Sequence, residues 1–332
     1  MVKRIIIDTD PGIDDAFAII SAFKHPEVEI LGLTSVAGNK GIDLTTRNAA
    51  GLSTYLGANI PVYRGAVTDF LSVKEGITEP KEEEGGVHGA TGLGSVELPV
   101  DDSVYRDQDA VDFILESVRK YPGEVDIIAI GPVTNLALCV DKDLETMKKV
   151  RSIHSMGGGV HRGNATPVAE FNYWFDPKAV DLLYTQLGTH VPIHMIGLDV
   201  THQAIVDMND LSFIKLIGGD LGELLYDMMQ DYIAAYWKNN QYMGGVIHDL
   251  MTVIGYLYPE IYTETYHAHL RCVTDSELAY GQCIVDLQNK YGQEKNAFIP
   301  MKADVDLYKE RFIELLFGEE TAELYRKAVL HK

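Results

Sequence analysis

The feature that most constrains the fold is the alternation of short, β-branched runs with segments of helical periodicity. Strands are predicted over residues 4–9, 29–38, 125–130, 152–156 and 191–198, and helices over 14–24, 43–57, 109–120, 134–149 and 177–187. Such alternation indicates a mostly parallel sheet with helices on both faces. After about residue 260 the runs HAHLRCV and YGQCIVDL predict antiparallel strands, followed by an amphipathic helix. We therefore predict an α/β fold with an open, mainly parallel sheet, as one domain over residues 1–332.

Composition narrows the classes of partner. The chain has 332 residues, of which 46% are hydrophobic and 23% charged, and its formal net charge is −21. Because so acidic a surface repels phosphate backbones and anionic lipids, nucleic acid and membranes are poor partners, and a small neutral substrate or a cation fits better.

The N-terminus and the cysteines predict a cytoplasmic location. Only three isoleucines precede Asp8, which is too short for the apolar core of a signal peptide. No other run approaches the roughly 18 apolar residues of a membrane-spanning helix. Cys139, Cys272 and Cys283 form no CxxC motif and are predicted to be reduced thiols.

The first predicted strand ends in a dense group of carboxylates, Asp8, Asp10, Asp14 and Asp15. Ligands of open α/β sheets bind beyond the carboxyl ends of the strands. Four carboxylates so close repel one another unless a cation balances them, and hard cations such as calcium or magnesium prefer these oxygens. Acidic residues in the first turn of a helix would alone explain Asp14 and Asp15, but not Asp8 and Asp10.

A second segment, MGGGVHRGNATPVAEFN (156–172), follows a predicted strand. Glycines allow close approach of the backbone to a ligand. Asn164, Glu170 and Asn172 offer amides and a carboxylate, which suit sugar hydroxyls better than phosphate. An ordinary polar loop is the alternative interpretation.

A third element is the pair His248-Asp249 after two glycines, at the start of an apolar helical stretch. By itself the pair is weak evidence of a functional site, because Asp at a helix start is commonly a cap.

Together, these segments resemble the inosine-uridine-type nucleoside hydrolases from end to end. DTDPGIDDA matches the N-terminal fingerprint of the family, GNATPVAEFN its ribose-binding segment, and His248-Asp249 its C-terminal pair. The resemblance implies a single α/β domain, one calcium ion in the site, and assembly as a homodimer or homotetramer. The implied reaction is hydrolysis of the N-glycosidic bond of ribonucleosides to ribose and free base, in nucleoside salvage or catabolism.

The resemblance also implies a metal site. Asp10, Asp15 and Asp249 would bind calcium through their carboxylates, and the backbone carbonyl of Ile130 would supply another oxygen. Asp10 would accept the proton of the water that attacks C1′ of the ribose.

The ribose contacts follow from the same resemblance. Asp14, Asn172 and Asp249 would hold the 2′- and 3′-hydroxyls, and Asn164 and Glu170 the 5′-hydroxyl. Two further residues, Asn39 and Met156, would line the ribose pocket.

The departing base needs a proton donor or a hydrogen bond. His248, Tyr236 and His88 are the candidates, although His88 could instead be a solvated loop residue. The sequence around Tyr236 favours broad specificity, whereas GGxxHDxxxxIGYL is closer to pyrimidine-preferring enzymes, so base preference stays open.

Two other functional classes remain open. Haloacid-dehalogenase-type magnesium phosphatases also begin with a strand ending in Asp-x-Asp. A ribonucleoside-binding protein without catalytic activity could share the same pocket.

Overall fold

The computed structural model describes residues 2–79 and 88–332. Its strands are β1 (Lys3–Thr9), β2 (Val28–Ser35), β3 (Val62–Arg64), β4 (Tyr105–Arg106), β5 (Val125–Ala129), β6 (Ser152–Met156), β7 (Ile193–Ile196), β8 (Ile205–Asp207), β9 (Gly244–Val246), β10 (Tyr262–Cys272), β11 (Cys283–Asp286) and β12 (Ala297–Ala303). Its α-helices are α1 (Ile13–Lys24), α2 (Ile42–Tyr55), α3 (Phe70–Lys74), α4 (Ala110–Lys120), α5 (Thr134–Met147), α6 (Phe171–Phe175), α7 (Pro177–Leu187), α8 (Leu198–Thr201), α9 (Met208–Ile217), α10 (Gly219–Asn240), α11 (His248–Leu257), α12 (Val305–Phe317) and α13 (Glu319–Ala328).

Ten strands form one sheet in the order β11-β10-β12-β7-β6-β5-β1-β2-β3-β4. All neighbouring pairs are parallel except those of β10, which runs antiparallel to both β11 and β12. The predicted fold class, a mainly parallel open sheet that becomes antiparallel after residue 260, is confirmed.

The sheet separates two apolar cores, as the side-chain alternation along β1 illustrates. Ile5 and Ile7 pack into one core with α1, α11 and α12, whereas Ile6 packs into the other with α4, α5 and α7. Helices therefore cover both faces, which explains why the central strands are apolar throughout.

The strand order reverses at β1, and this reversal indicates where a ligand would bind. The chain continues from β1 to β2 on one side, and β5 later pairs with β1 on the other side. In doubly wound sheets the crevice at such a reversal, beyond the carboxyl ends of the strands, is where ligands bind. Here those ends lead into the Asp10–Asp15 segment and into Ile130.

Some elements were not predicted. β12 is one of these, and it contains Pro300, a residue that usually argues against a strand. It pairs in irregular register with β10, the strand that the run HAHLRCV predicts. β8 and β9 form a separate two-stranded sheet. Gly245 in β9 lies so close to Tyr232 that a Cβ there would be 2.7 Å from its ring, so packing rather than strand propensity fixes this segment.

Among residues 2–79 and 88–332, no helix combines the length and the apolar composition needed to cross a membrane.

Candidate active site

A cavity of about 710 Å³ opens at the reversal of the strand order. It brings together residues from all three segments that the sequence singled out. Its lining includes these predicted site residues: Asp14, Asn39, His88, Ile130, Met156, Asn164, Glu170, Asn172, Tyr236, His248 and Asp249. The remaining predicted residues, Asp10 and Asp15, are fully buried beneath the cavity lining.

The carboxylates at the end of β1 take different roles. Asp8 lies within the sheet, where it accepts hydrogen bonds from Thr34 Oγ1 at 2.6 Å and Asn135 Nδ2 at 2.8 Å. Burial raises the pKa of Asp8 to about 7. Because its contacts are with sheet residues, Asp8 supports the fold beneath the site.

Asp14, Asp15 and Asp249 form the carboxylate cluster. One oxygen from each lies within 4.8 Å of the others, and all three residues are buried. Burial, followed by the charge of Asp15, raises the pKa of Asp14 to about 8. Burial, followed by the charges of Asp14 and Asp15, also raises the pKa of Asp249 well above its usual range. The raised pKa values mean that the ionised forms of these carboxylates are costly together, and a bound cation would offset that cost.

Asp10 lies beside this cluster rather than within the group of three. Its Oδ2 accepts a hydrogen bond from the backbone N–H of Asn39 at 2.6 Å. Burial and the charge of Asp15 raise its pKa well above the usual range. The space around it is tight, because a Cβ on Gly131 would lie 2.6 Å from Asp10 Oδ1.

Three buried carboxylate oxygens have no hydrogen-bond partner in the described part of the chain: Asp8 Oδ2, within the sheet, and Asp10 Oδ1 and Asp14 Oδ1, at the site. Asp15, by contrast, accepts from Thr9 Oγ1 at 2.5 Å and from the Gly12 N–H at 2.8 Å, as a helix-capping residue does. Orphaned oxygens beside mutually repelling carboxylates fit a hard divalent cation. The residues present could therefore bind a metal ion.

One part of the cavity wall is built on the start of α6, where Glu170 and Asn172 line the cavity. Glu170 accepts hydrogen bonds from the backbone N–H groups of Gly158 at 2.8 Å, Asn172 at 2.9 Å and Tyr173 at 3.1 Å. Burial raises the pKa of Glu170 to about 7. Since three amides hold its carboxylate, its position at the cavity wall is fixed.

Two asparagines flank Glu170. Asn172 Nδ2 donates to the carbonyls of Ile130 at 3.1 Å and Met156 at 3.2 Å, so the Ile130 carbonyl already accepts one hydrogen bond. The second lone pair of the Ile130 carbonyl oxygen stays available to a metal. Asn164 Oδ1 accepts from the Phe171 N–H at 2.9 Å, which leaves its Nδ2 as a donor.

Another part of the cavity wall, formed by Tyr236 and His248, carries a series of hydrogen bonds that extends to Thr201. His248 Nδ1 lies 2.8 Å from Thr201 Oγ1, and its Nε2 lies 3.0 Å from the Tyr236 hydroxyl. Burial lowers the pKa of His248 well below its usual range, so the ring is neutral. A neutral imidazole between two hydroxyls can accept a proton on one side while it donates on the other.

His88 lies at the edge of the described residues. Its Nδ1 accepts from the Ile13 N–H at 3.1 Å, and burial lowers its pKa to about 4. The ring is therefore neutral and forms no ion pair with Asp14, although the two side chains approach to 3.8 Å. His88 is buried against the cavity, not solvated.

The structure adds cavity residues that sequence reasoning missed, among them Tyr232, Phe171, Arg162 and His202. Tyr232 could have been found, because it precedes Tyr236 by four residues and so shares its helix face. Its ring centroid lies 5.0 Å from that of Tyr236 and 5.6 Å from that of His88. His202 has no local signal, since only folding brings it to His248.

Comparisons with known proteins agree with this geometry. The family model described as inosine-uridine preferring nucleoside hydrolase matches residues 5–310. The pyrimidine-specific ribonucleoside hydrolase RihB of Escherichia coli O1:K1 / APEC is 32% identical over 309 residues, covering 92% of this chain and 94% of the relative. Among solved structures, the plant nucleoside hydrolase PpNRh1 has a TM-score of 0.89 and 31% identity, covering 96% of this chain and all of its own. The purine-preferring ribonucleoside hydrolase from Gardnerella vaginalis has a TM-score of 0.86 and 29% identity, over 97% and 100% of the two chains.

Proposed function

The chain belongs to the inosine-uridine preferring nucleoside hydrolase family, and from that premise we propose that it hydrolyses uridine, cytidine and inosine with calcium as its cofactor. Its relatives are ribonucleoside hydrolases, which are N-glycosidases, and the protein is an enzyme of this class. This membership leaves no support for the phosphatase alternative. The products, ribose and a free base, suit nucleoside salvage or catabolism.

One observation carries the proposal: buried, mutually repelling carboxylates lie at and beneath the floor of a cavity that also presents sugar-binding amides. Cleavage of an N-glycosidic bond builds positive charge on the ribose, as in the transition state of glycosidases. Fixed carboxylates such as Asp14 and Asp249 stabilise that charge where it develops. A binding protein without catalytic activity would have no need of this arrangement.

We propose Asp10, Asp15, Asp249 and the Ile130 carbonyl as the metal ligands, with Asp14 close enough to contribute. When bound, calcium would keep these carboxylates ionised and would lower the pKa of a water molecule. Asp10 is proposed as the general base, because one of its oxygens is held by Asn39 and the other has no partner.

Substrate orientation would come from both sides of the cavity. Asp14, Asn172 and Asp249 would hold the 2′- and 3′-hydroxyls, while Glu170 and Asn164 hold the 5′-hydroxyl. Glu170 can accept from a hydroxyl, and the free Nδ2 of Asn164 can donate to one. Asn39 and Met156 would line the space between.

For the leaving base, we assign the tautomer in which Thr201 donates to His248 Nδ1 and Nε2–H donates to the Tyr236 oxygen. This direction frees the Tyr236 proton to point at the base in the cavity. A purine can take the proton on its imidazole ring, whereas a pyrimidine has no equivalent atom. This arrangement of hydrogen bonds therefore favours inosine turnover without excluding pyrimidines. His88 would contact the base from beside Tyr232, since the two ring centroids lie 5.6 Å apart.

Assembly as a homodimer or homotetramer and a cytoplasmic location remain predictions.

The test is turnover of uridine, cytidine and inosine in calcium buffer, with released ribose measured as reducing sugar and free base by chromatography. Asp249→Asn should lose nearly all turnover, while Asp220→Asn, at the exposed start of α10, should keep it. Tight binding of ribonucleosides with no ribose released would contradict the proposal and favour the non-catalytic alternative.

A further inference from the structure

Two of the three cysteines meet across an antiparallel strand pair. Cys272 at the end of β10 is paired directly with Cys283 at the start of β11. Both are buried, at 4% and 3% exposure, and the neighbouring Cys283 thiol together with burial raises the pKa of Cys272. Cys139 lies apart from them on α5, with its sulfur 3.7 Å from the Val111 carbonyl. The spacing in the sequence gives no sign of this pair.

The ladder pattern shows that the two cysteines form a non-hydrogen-bonded pair. The next pair along carries the ladder bond, because the Val273 N–H donates to the Gln282 carbonyl at 3.0 Å. The Cys272 N–H points away from β11 and donates to Asp181 Oδ1 at 3.2 Å. In such pairs the Cα atoms are about 4.5 Å apart. Disulfides span Cα separations of about 4.4–6.8 Å, so a bond here needs side-chain rotation and no shift of the backbone.

We propose that Cys272 and Cys283 are a redox-active dithiol that closes to an intrachain disulfide and thereby shifts the part of the cavity wall around Gly158 and Glu170. The oxidant is a small disulfide such as oxidised glutathione. One protein thiolate attacks the glutathione disulfide and releases one glutathione thiol. The second protein thiolate then attacks the mixed disulfide and releases the other, so two protein thiols are oxidised as one disulfide is reduced to two thiols.

Access to the sulfurs comes from the edge of the sheet. β11 has only four residues and is the terminal strand of the sheet. The connection before it is open to solvent, with Leu278 at 90% exposure. Short edge elements open locally at lower cost than the core, so reaction is expected to be slow but to proceed without global unfolding.

The link to the site runs through Gly158. A Cβ on Gly158 would lie 2.9 Å from Cys283 Sγ, so the sulfur packs directly against this glycine. The Gly158 N–H in turn holds Glu170 at 2.8 Å. Closing the disulfide brings the sulfurs to about 2.05 Å, which moves at least one of them by about an ångström. The predicted result is a looser grip by Glu170 on the 5′-hydroxyl, an effect that rests on the function proposed above.

The first measurement needs no activity. The full-length reduced protein is incubated with oxidised glutathione, quenched, unfolded and alkylated, and its mass and disulfide peptides are determined. We expect one label per chain, on Cys139, a Cys272–Cys283 peptide, and a melting temperature raised by several degrees. Cys139→Ala should form the same disulfide but carry no label, whereas Cys272→Ala should stop at a glutathione adduct on Cys283. Three labelled thiols in the oxidant-treated wild type, or bonds between chains, would overturn the dithiol assignment.

The second measurement compares kinetics of the two redox forms. We expect the oxidised form to show a KM for uridine raised about two- to tenfold, reversed by dithiothreitol, with no change for 5′-deoxyuridine, which lacks the hydroxyl that Glu170 would hold. Equal KM values for uridine in both forms would refute the link to the site while leaving the disulfide intact. Absence of turnover in either form would instead refute the proposed function, since the mass result does not depend on it.

Discussion

Tyr236→Phe tests whether the hydrogen bonds that join Thr201, His248 and Tyr236 activate the leaving group. The change removes one hydroxyl, which lies 3.0 Å from His248 Nε2, and keeps the ring beside Tyr232. The other nitrogen of His248 stays bonded to Thr201 at 2.8 Å. The substitution therefore removes the final donor of this series of hydrogen bonds, and with it the acceptor of His248 Nε2–H, while the ring stays in place.

The expected magnitude follows from the hydrogen bond that the Tyr236 hydroxyl would donate to the departing base. Because the base gains charge as it leaves, that hydrogen bond is worth about 1.5–3 kcal/mol. A loss of even 1.4 kcal/mol of transition-state stabilisation lowers the rate about tenfold. We expect kcat/KM for inosine to fall by at least that factor. The buried His248 nitrogen, at 6% exposure, also loses a partner, and this second cost falls on the stability of the folded protein.

The assay compares kcat/KM for inosine, uridine and p-nitrophenyl riboside. Inosine should lose most, because a purine leaves after protonation of its ring. Uridine should lose less, and p-nitrophenyl riboside least, because its leaving group departs without a proton. His248→Ala should give the same order of losses.

Tyr232→Phe is the matched control. The Tyr232 hydroxyl donates to the Val246 carbonyl at 3.1 Å, and its ring lies 5.0 Å from that of Tyr236. We expect it to show a smaller and less selective loss. If Tyr236→Phe lowers turnover of all three substrates equally, these residues shape the pocket and do not activate the base.

Four further outcomes are expected. Exhaustive chelation should abolish turnover and calcium should restore it; full activity in protein shown by elemental analysis to be metal-free would exclude a metal role. Asp10→Asn, compared at equal calcium occupancy, should lower kcat by about 10²–10⁴-fold, as loss of a general base does, and a change confined to KM would mean that Asp10 only positions substrate or metal. Uridine should be preferred to 2′-deoxyuridine by at least about a hundredfold in kcat/KM, because the carboxylates and Asn172 would lose a partner; similar rates would rule out the ribose assignment. Thr201→Val should lower kcat for inosine several-fold and shift its pH profile, with Thr201→Ser restoring both; an unchanged profile would show that Thr201 does not set the tautomer.

Much of the fold could be predicted from sequence because its signals are local. The predicted strand 152–156 and helix 177–187 have the bounds seen in the structure, and other predicted ends differ by a few residues. Runs of β-branched residues and helical periodicity each span a few residues of contiguous chain, so they are readable without knowing what packs against them. The second sheet, β8–β9, was not predicted, because the glycines of β9 carry no strand signal and the position of β9 depends on its packing against Tyr232.

The candidate site divides in the same way. The sequence by itself determined that carboxylates would follow β1 and that Asn164, Glu170 and Asn172 would follow β6, because a strand and its next loop are continuous in the chain. Only the tertiary structure decided which of those groups meet. It buried Asp8 in the sheet against Asn135, brought Asp249 across more than two hundred residues to Asp14 and Asp15, and set Cys272 opposite Cys283. The physical reason is that strand order and register are fixed by long-range packing, which no local pattern of residues encodes.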